Sequence, residues 1–204
     1  MKVAIVGTGE MARILGKAWV RSGHQVTIAG RNRSKAEELA RDIDAGVSDL
    51  HDVVGAGDVV VLAITWDGVH SVLETLGASA GALNGKIVID PINAVEHGIG
   101  RLLQSHRSIA ELIAQTYSGA SVVKALNIFP ATYWQREHTS VPTVAIAGDS
   151  SIALDAVGKL IGDLGAQAEI VGPLSRARQL EEVAGFVIGL SFKGIDPTFA
   201  VPGL

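Results

Sequence analysis

The sequence opens on Val3-Ala4-Ile5-Val6-Gly7-Thr8-Gly9-Glu10-Met11-Ala12, an apolar strand that runs directly into a G-x-G-x-x-A turn. Gly7 permits the tight turn, Gly9 lets a pyrophosphate approach the backbone, and Ala12 lets the following helix pack closely on the strand. The pattern also fits an ordinary strand-to-helix turn. Here, however, an expected helix (residues 13–22) and a second strand (residues 25–29) complete a β-α-β unit. We therefore predict a dinucleotide site at Gly7, Thr8, Gly9, Glu10 and Met11, whose phosphates face the helix N-terminus.

The segment after the second strand is basic, because Gly30-Arg31-Asn32-Arg33-Ser34-Lys35 precedes the first acidic residue, Glu37. A site for NAD usually carries Asp or Glu here to bind the ribose 2′-hydroxyl. Guanidinium groups instead form charge-assisted hydrogen bonds with a 2′-phosphate. Arg33 and Lys35, taken singly, also fit solvated charges on the next helix. Three cations at a helix start oppose its dipole, and a bound 2′-phosphate would offset this repulsion. We therefore predict NADP, held by Arg31, Asn32, Arg33 and Lys35.

Composition excludes several classes of protein. The chain has 204 residues, of which 48% are hydrophobic and 19% charged, and this is typical of one compact domain with an appendage. The absence of cysteine excludes disulfides and thiolate catalysis. Six histidines lie scattered without metal-ligand spacing, the net charge is -4, and no apolar tract is long enough to span a membrane. We expect no metal, no nucleic acid and no membrane partner, and a cytoplasmic protein without a signal peptide.

Strand and helix patterns alternate along the rest of the chain. Further strands are expected near residues 45–48, 58–64, 86–90, 122–126, 143–147 and 168–171, and helices near 34–42, 50–55, 66–79, 105–115 and 151–164. Residues 58–64 are apolar on both faces, as in a buried parallel strand. The alternation predicts an α/β fold, a Rossmann-type doubly wound and mainly parallel sheet, over residues 1–172.

The remaining segment, residues 173–204, is predicted to be a helical extension. Its helix is expected from Ser175 to Phe192 and carries an apolar stripe. Only 32 residues follow Gly172, too few for a core of their own. The helix must therefore pack on its own sheet or on a second copy, and we predict that it contributes to a homodimer and to the substrate pocket.

In open α/β sheets, ligands lie outside the carboxyl ends of the strands. The residues expected there are Thr65, Trp66, Pro91, Ile92, Asn93 and Asn127, none of which titrates near neutral pH. Such an inventory suits hydride transfer between two cofactors, which needs positioning; a ketone reductase would need a proton donor. Asn127 also fits a residue that holds a turn, Trp66 fits a core or interface residue, and Asp90 fits a cap on the Pro91 turn.

The order of these motifs resembles the F-420-dependent NADP oxidoreductase family, which in turn resembles the cytosolic domain of certain membrane metalloreductases. The glycine turn, Gly30-Arg31-Asn32-Arg33 and Asp90-Pro91-Ile92 carry the likeness, together with residues 123–130 (VKALNIFP) and 172–178 (GPLSRAR). The resemblance covers nearly the whole chain. It implies hydride transfer between NADPH and coenzyme F-420 or a flavin, in a homodimer.

Carried over to this sequence, the resemblance implies a role for each matching residue. Thr8, Gly9, Arg31, Arg33 and Lys35 would hold NADP, and Thr65 and Trp66 would flank it. Asn127 would position the nicotinamide, and Pro91 and Ile92 would border the deazaflavin. The carboxyl-terminal Lys193-Gly194-Ile195-Asp196-Pro197-Thr198-Phe199 departs from the family's glycine-rich end, which leaves the identity of the acceptor open.

Two other functions remain compatible with the sequence. The first is an NADPH-dependent imine or ketone reductase related to the pyrroline-carboxylate reductases, which share the opening motif. Such enzymes need a substantial helical domain after the sheet, which 32 residues could provide only through dimerisation. The second is a regulatory domain that senses NADP without turning it over, because it needs the same phosphate cradle.

Overall fold

The computed structural model describes residues 1–96, 98–104, 106–136, 139–197 and 200. In this part of the chain, strands mostly alternate with helices, although no α-helix separates β3 from β4 or β6 from β7. The elements are β1 (Lys2–Val6), α1 (Glu10–Arg21), β2 (Gln25–Ala29), α2 (Arg33–Ile43), β3 (Gly46–Val47), β4 (Val59–Leu62), α3 (Val69–Thr75), β5 (Ile87–Asp90), α4 (Ile109–Thr116), β6 (Ser121–Lys124), β7 (Thr143–Gly148), α5 (Ser151–Gly162), β8 (Gln167–Gly172) and α6 (Ala177–Phe192).

The strands form one eight-stranded sheet in the order β3-β2-β1-β4-β5-β6-β7-β8. All neighbouring strands run parallel except β6 and β7, which are antiparallel. The strand order reverses between β1 and β4, which is where ligands bind in doubly wound sheets. The predicted Rossmann-type, mainly parallel fold is thus confirmed.

Two apolar layers cover the sheet, one on each face. The first contains side chains of α1, α2 and α5, such as Leu15, Leu39 and Val157. The second contains side chains of α3, α4 and the start of α6, such as Leu73, Ile113 and Ala177. Both layers are buried, so the central strands are apolar on both faces, as the sequence of residues 58–64 predicted.

Several predicted element boundaries were wrong. The helix expected at residues 66–79 is a short 3₁₀ turn (Trp66–Gly68) followed by α3, and Gly77 in the left-handed region ends it. The helix expected at 105–115 begins at Ile109, because Ser108 and Glu111 form a reciprocal capping box; Ser105 lies outside the described residues. The helix expected at 50–55 is a 3₁₀ turn, Val53–Ala56.

The sequence left open whether the buried side of helix α6 packs on its own sheet or on a second copy. In the structure, this side packs on its own chain. The helix begins at Ala177, after a 3₁₀ turn at Leu174–Arg176, and not at Ser175. Its backbone touches a neighbouring loop: a Cβ added to Gly100 would lie 1.9 Å from the carbonyl oxygen of Gly185. Because the atoms that a Cβ at Gly100 would meet are backbone atoms of α6, any side chain at Gly100 would displace the loop or the helix. In the described part of the chain, no helix has the length and apolar character needed to cross a membrane.

Candidate active site

A cleft of about 500 Å³ opens at the carboxyl ends of β1, β2 and β4. We call it the first cleft. It brings together most of the residues predicted from the glycine turn and the basic segment. The predicted residues that line it are Gly7, Thr8, Gly9, Glu10, Met11, Arg31, Asn32, Lys35, Thr65 and Pro91.

The glycine turn fits a pyrophosphate. Gly7 has a φ of +138°, and a Cβ there would lie 2.0 Å from the carbonyl oxygen of Ala63, so only glycine is accommodated. A Cβ on Gly9 would meet nothing within 4 Å, which leaves open space above the turn. Gly9 is also the N-cap of α1 and offers no side-chain hydrogen bond. The N–H groups of the first helical turn therefore lack a side-chain acceptor, and phosphate oxygens can provide one.

Arg31 is an available cation in this cleft. Its guanidinium carbon lies 3.9 Å from where a Cβ of Gly68 would be, so the side chain reaches across to the turn after β4. In the same turn, the pKa of the Asp67 carboxyl is lowered chiefly by a hydrogen bond from Thr65 and to a smaller extent by the charge of Arg31. Among the described residues Arg31 forms no ion pair within 4.0 Å.

The structure does not bring Arg33 into the first cleft, which corrects its predicted placement. Its Nε donates to Glu37 at 2.9 Å and its Nη1 to Asp49 at 2.6 Å. The two carboxylates hold the guanidinium at the protein surface, and Arg33 is not among the described residues that line the first cleft. Asn32 has two roles, because it lines the cleft and its side chain also accepts a hydrogen bond from the backbone N–H of Lys35 at 3.0 Å.

A smaller cleft of about 280 Å³ adjoins the first, and Met11 and Pro91 line both. We call it the second cleft. Its walls come from the ends of β5 and β6 and from the last turns of α6, and none of the described residues that line it is charged. They are Met11, Pro91, Asn93, Leu126, Asn127, Ile128, Phe129, Pro130, Val187, Ile188, Ser191 and Phe192.

Two further residues predicted for the site line neither cleft. Ile92 is buried in the core at 3% exposure, and its side chain borders neither cleft. Trp66 lines a separate groove between α3 and α4. The alternative interpretation of Trp66 as a packing residue agrees with this position, since it packs against the second apolar layer.

Asn127 presents an unpaired acceptor at the second cleft. The residue is 6% exposed, and the preceding Leu126 takes a left-handed φ of +65° that turns the chain after β6. The Nδ2 of Asn127 donates to the Oδ1 of Asn93 at 3.0 Å and to the carbonyl oxygen of Leu180 at 3.1 Å. These two acceptors fix the orientation of the amide. Its Oδ1 is left buried with no hydrogen-bond partner among the described residues, which is costly unless a ligand donates to it.

Sequence reasoning missed a buried charge cluster beneath the second cleft. Lys124, Asp90 and Glu181 are each 0% exposed. The Nζ of Lys124 donates to Asp90 at 3.1 Å, to Glu181 at 2.7 Å and to the carbonyl oxygen of Ile92. Asp90 also accepts from the backbone N–H of Ile92 at 2.9 Å, the predicted cap on the Pro91 turn. A lysine in an otherwise apolar strand was the one signal that the sequence offered.

The described histidines lie outside both clefts. His70 lines the groove between α3 and α4, and His24 pairs with Asp163 at 2.7 Å. His97 and His138 fall outside the described residues. Within the described part of the chain, no group of three or more His, Asp or Glu residues could hold a metal ion.

Comparisons with known proteins agree with this geometry. Residues 2–94 match the family described as NADP oxidoreductase, coenzyme F420-dependent. A protein from Arthrobacter sp. FB24, solved as a candidate F420-dependent NADP reductase, superimposes with a TM-score of 0.84 and 26% identity over 96% of each chain. A reductive aminase from Aspergillus terreus, solved with NADPH, superimposes with a TM-score of 0.71 over 95% of this chain and 62% of its own. At 18% identity the latter likeness concerns the fold alone.

A third relative is metalloreductase STEAP3 from Rattus norvegicus, which is 30% identical over 183 residues. The match covers 89% of this chain and 36% of the metalloreductase, so the chain spans about a third of that relative's length. The family match, the full-length structural match and the geometry of the first cleft agree with the motifs that the sequence displays. Residues 2–94 therefore resemble the F420-dependent NADP oxidoreductases, and the whole chain shares the fold of the Arthrobacter protein.

Proposed function

We propose that the protein transfers a hydride between NADPH in the first cleft and a flat, uncharged ring, a flavin or the deazaflavin of coenzyme F-420, in the second. One observation carries the proposal: the two clefts meet at Met11 and Pro91, and the described residues that line the second are uncharged and include Asn127, whose buried Oδ1 has no hydrogen-bond partner among the described residues. Flavins and deazaflavins are flat rings that carry N–H donors.

The residues of the first cleft suit NADPH. Gly7 and Gly9 leave room for the pyrophosphate, and Arg31 and Lys35 supply cations for the 2′-phosphate. When bound, NADPH supplies a hydride that reduces the acceptor ring and leaves NADP⁺, and solvent supplies the accompanying proton. The chain's own task is to orient the two rings and to exclude water from the space between them.

No titratable side chain among the described lining residues of the second cleft could act as a general acid or base. An imine or carbonyl acceptor would need a proton donor at the reacting atom. A ring that carries electrons itself needs positioning alone. The inventory of the second cleft therefore favours a cofactor acceptor over an imine or ketone.

The test is rapid mixing of the protein with NADPH and, separately, FMN, FAD, coenzyme F-420 and a panel of cyclic imines. We expect oxidation of NADPH with at least one flavin or deazaflavin and none with the imines. Oxidation with imines alone would replace the proposal by the imine-reductase alternative. Tight binding of NADPH without turnover by any acceptor would favour a sensing domain.

We expect Arg31→Ala to weaken NADPH binding by roughly ten- to a hundredfold and to spare NADH, because hydrogen bonds to charged groups contribute about 1.5 to 3 kcal/mol. The dissociation constants of both nucleotides are measured by fluorescence titration. Arg33→Ala is a matched control: Arg33 is also an exposed arginine near the end of β2, but Glu37 and Asp49 hold it. Equal affinity of the native protein for NADPH and NADH would contradict the proposal of a 2′-phosphate site.

We also propose that the exposed side of α6 forms a homodimer contact. Val183 and Phe186 on this helix are 42% and 51% exposed, and Ile99 on the adjoining loop is 60% exposed. Sedimentation is expected to give twice the 21.2 kDa mass of the chain. Phe186→Glu is expected to shift the protein to a monomer, since it places a charge in an apolar contact. A native protein that sediments as a monomer at micromolar concentration would exclude the homodimer.

A further inference from the structure

Lys124 connects three elements of the fold beneath the second cleft. It lies at the end of β6, and its ammonium binds Asp90 at the end of β5 and Glu181 on α6. It also donates to the carbonyl oxygen of Ile92 in the turn after β5. All three charged side chains are fully buried, so the contacts act in a medium of low dielectric and hold their geometry firmly.

Each end of this cluster adjoins a residue that holds the Asn127 amide. Ile92 immediately precedes Asn93, whose Oδ1 accepts from Asn127. Glu181 immediately follows Leu180, whose carbonyl oxygen accepts from the same nitrogen. The two acceptors that orient Asn127 are therefore each one residue from a group that Lys124 binds.

We infer that Glu181 is a positioning residue for the reaction: by binding Lys124 it fixes α6 against the strand ends and so holds the Asn127 amide in its orientation at the wall of the second cleft. The inference rests on the proposed function for its kinetic consequence. Its structural part concerns only the orientation of one amide and can be tested without turnover.

The charges around Lys124 make Glu181 the informative residue to change. The cluster holds one ammonium and two carboxylates, and the second oxygen of Glu181 has no partner among the described residues. Burial raises the pKa of Glu181, and the charge of Lys124 lowers it by a smaller amount. Glu181→Gln leaves Lys124 paired with Asp90 and keeps the Oε1 that accepts from the backbone of Ile109 at 2.9 Å, so we expect the variant to fold.

What Glu181→Gln loses is the ionic part of its bond to Lys124. The ammonium can still donate to the amide oxygen, but the Coulomb attraction between two opposite charges in a medium of low dielectric is gone, so α6 is held less firmly at Leu180. None of the described residues that line the first cleft belongs to α6. The binding of NADPH should therefore be spared while the second cleft is disturbed.

The experiment compares Glu181→Gln with Glu182→Gln, a change one residue along the same helix that affects only a surface pair with Arg178 at 3.0 Å. The first readout is hydrogen exchange of the Asn127 side-chain amide by NMR, with its signal identified by its loss in Asn127→Ala. The second is the single-turnover rate of NADPH oxidation by FMN or coenzyme F-420. The third is the dissociation constant of NADPH.

In Glu181→Gln we expect the Asn127 amide to exchange at least about tenfold faster and hydride transfer to slow by about tenfold or more, because small displacements of reacting groups have large kinetic effects. NADPH affinity should stay unchanged, and Glu182→Gln should match the native protein in all three readouts. Unchanged amide exchange in Glu181→Gln would overturn the inference, and so would an equal loss in NADPH affinity and rate. If the native protein reduces no flavin, the proposed function fails, and amide exchange alone still decides the role of Glu181.

Discussion

Replacing Lys124 by methionine is expected to lower the free energy of unfolding by about 3–5 kcal/mol, the range for removing one partner of a buried ion pair. Lys124 is fully buried and is the cation that faces both Asp90 and Glu181. Without it, two carboxylates would remain in the core with no opposite charge beside them. Chemical denaturation at neutral pH measures the loss.

Two further variants make this prediction specific. Lys159→Met removes an exposed lysine from α5 and should change the free energy of unfolding by less than about 0.5 kcal/mol. Adding Asp90→Asn and Glu181→Gln to Lys124→Met should recover much of the stability, because a neutral cluster no longer buries unpaired charge. A loss below about 1 kcal/mol in Lys124→Met would mean that water reaches the cluster and screens its charges.

For the reaction itself, the largest expected effect is that of Asn127→Ala, which should slow hydride transfer by about a hundredfold, since a displacement near 1 Å can cost that much. The change removes the unpaired Oδ1 at the second cleft and both hydrogen bonds to Asn93 and Leu180. NADPH oxidation by a flavin or deazaflavin in single turnover measures the rate, and NADPH affinity is measured in parallel.

Histidine variants provide the contrast for Asn127→Ala. His70→Ala and His106→Ala should leave the rate nearly unchanged from pH 6 to 9, because neither residue lines the first or second cleft. A histidine variant that abolished turnover while it still bound NADPH would replace the proposed direct hydride transfer between two rings by acid catalysis.

Much of the fold could be predicted from local sequence because the determining patterns are short. The glycine turn, the apolar run of β1 and the apolar run of β4 are each contained in a segment of at most about ten residues. The boundaries of α3 and α4 were wrong because glycine and capping signals compete with helical periodicity there. The capping pair Ser108 and Glu111 was visible in the sequence and would have given the start of α4.

The site was predictable only in part, because its remaining contacts are distant in sequence. Lys124 and Glu181 lie 57 residues apart, and no periodic pattern connects them. Charged residues on a helix usually face solvent, so Glu181 and Glu182 look alike in the sequence, although one is buried and the other exposed. Likewise, nothing local to Arg33 indicates that Asp49 takes its guanidinium out of the first cleft.

The reversed direction of β7 determines where the chain goes after the sheet. Because β7 and β8 run opposite to β6, the helix that returns from β8 runs in the same sense as the parallel strands. It starts with Ala177 buried in the second apolar layer and ends with Phe192, which lines the second cleft together with Asn127 and Phe129. Whatever follows Phe192 thus emerges at the rim of the second cleft. If the second cleft takes the hydride acceptor, as we propose, changes in length or composition at this end can alter which acceptors bind while they leave the nucleotide cradle intact.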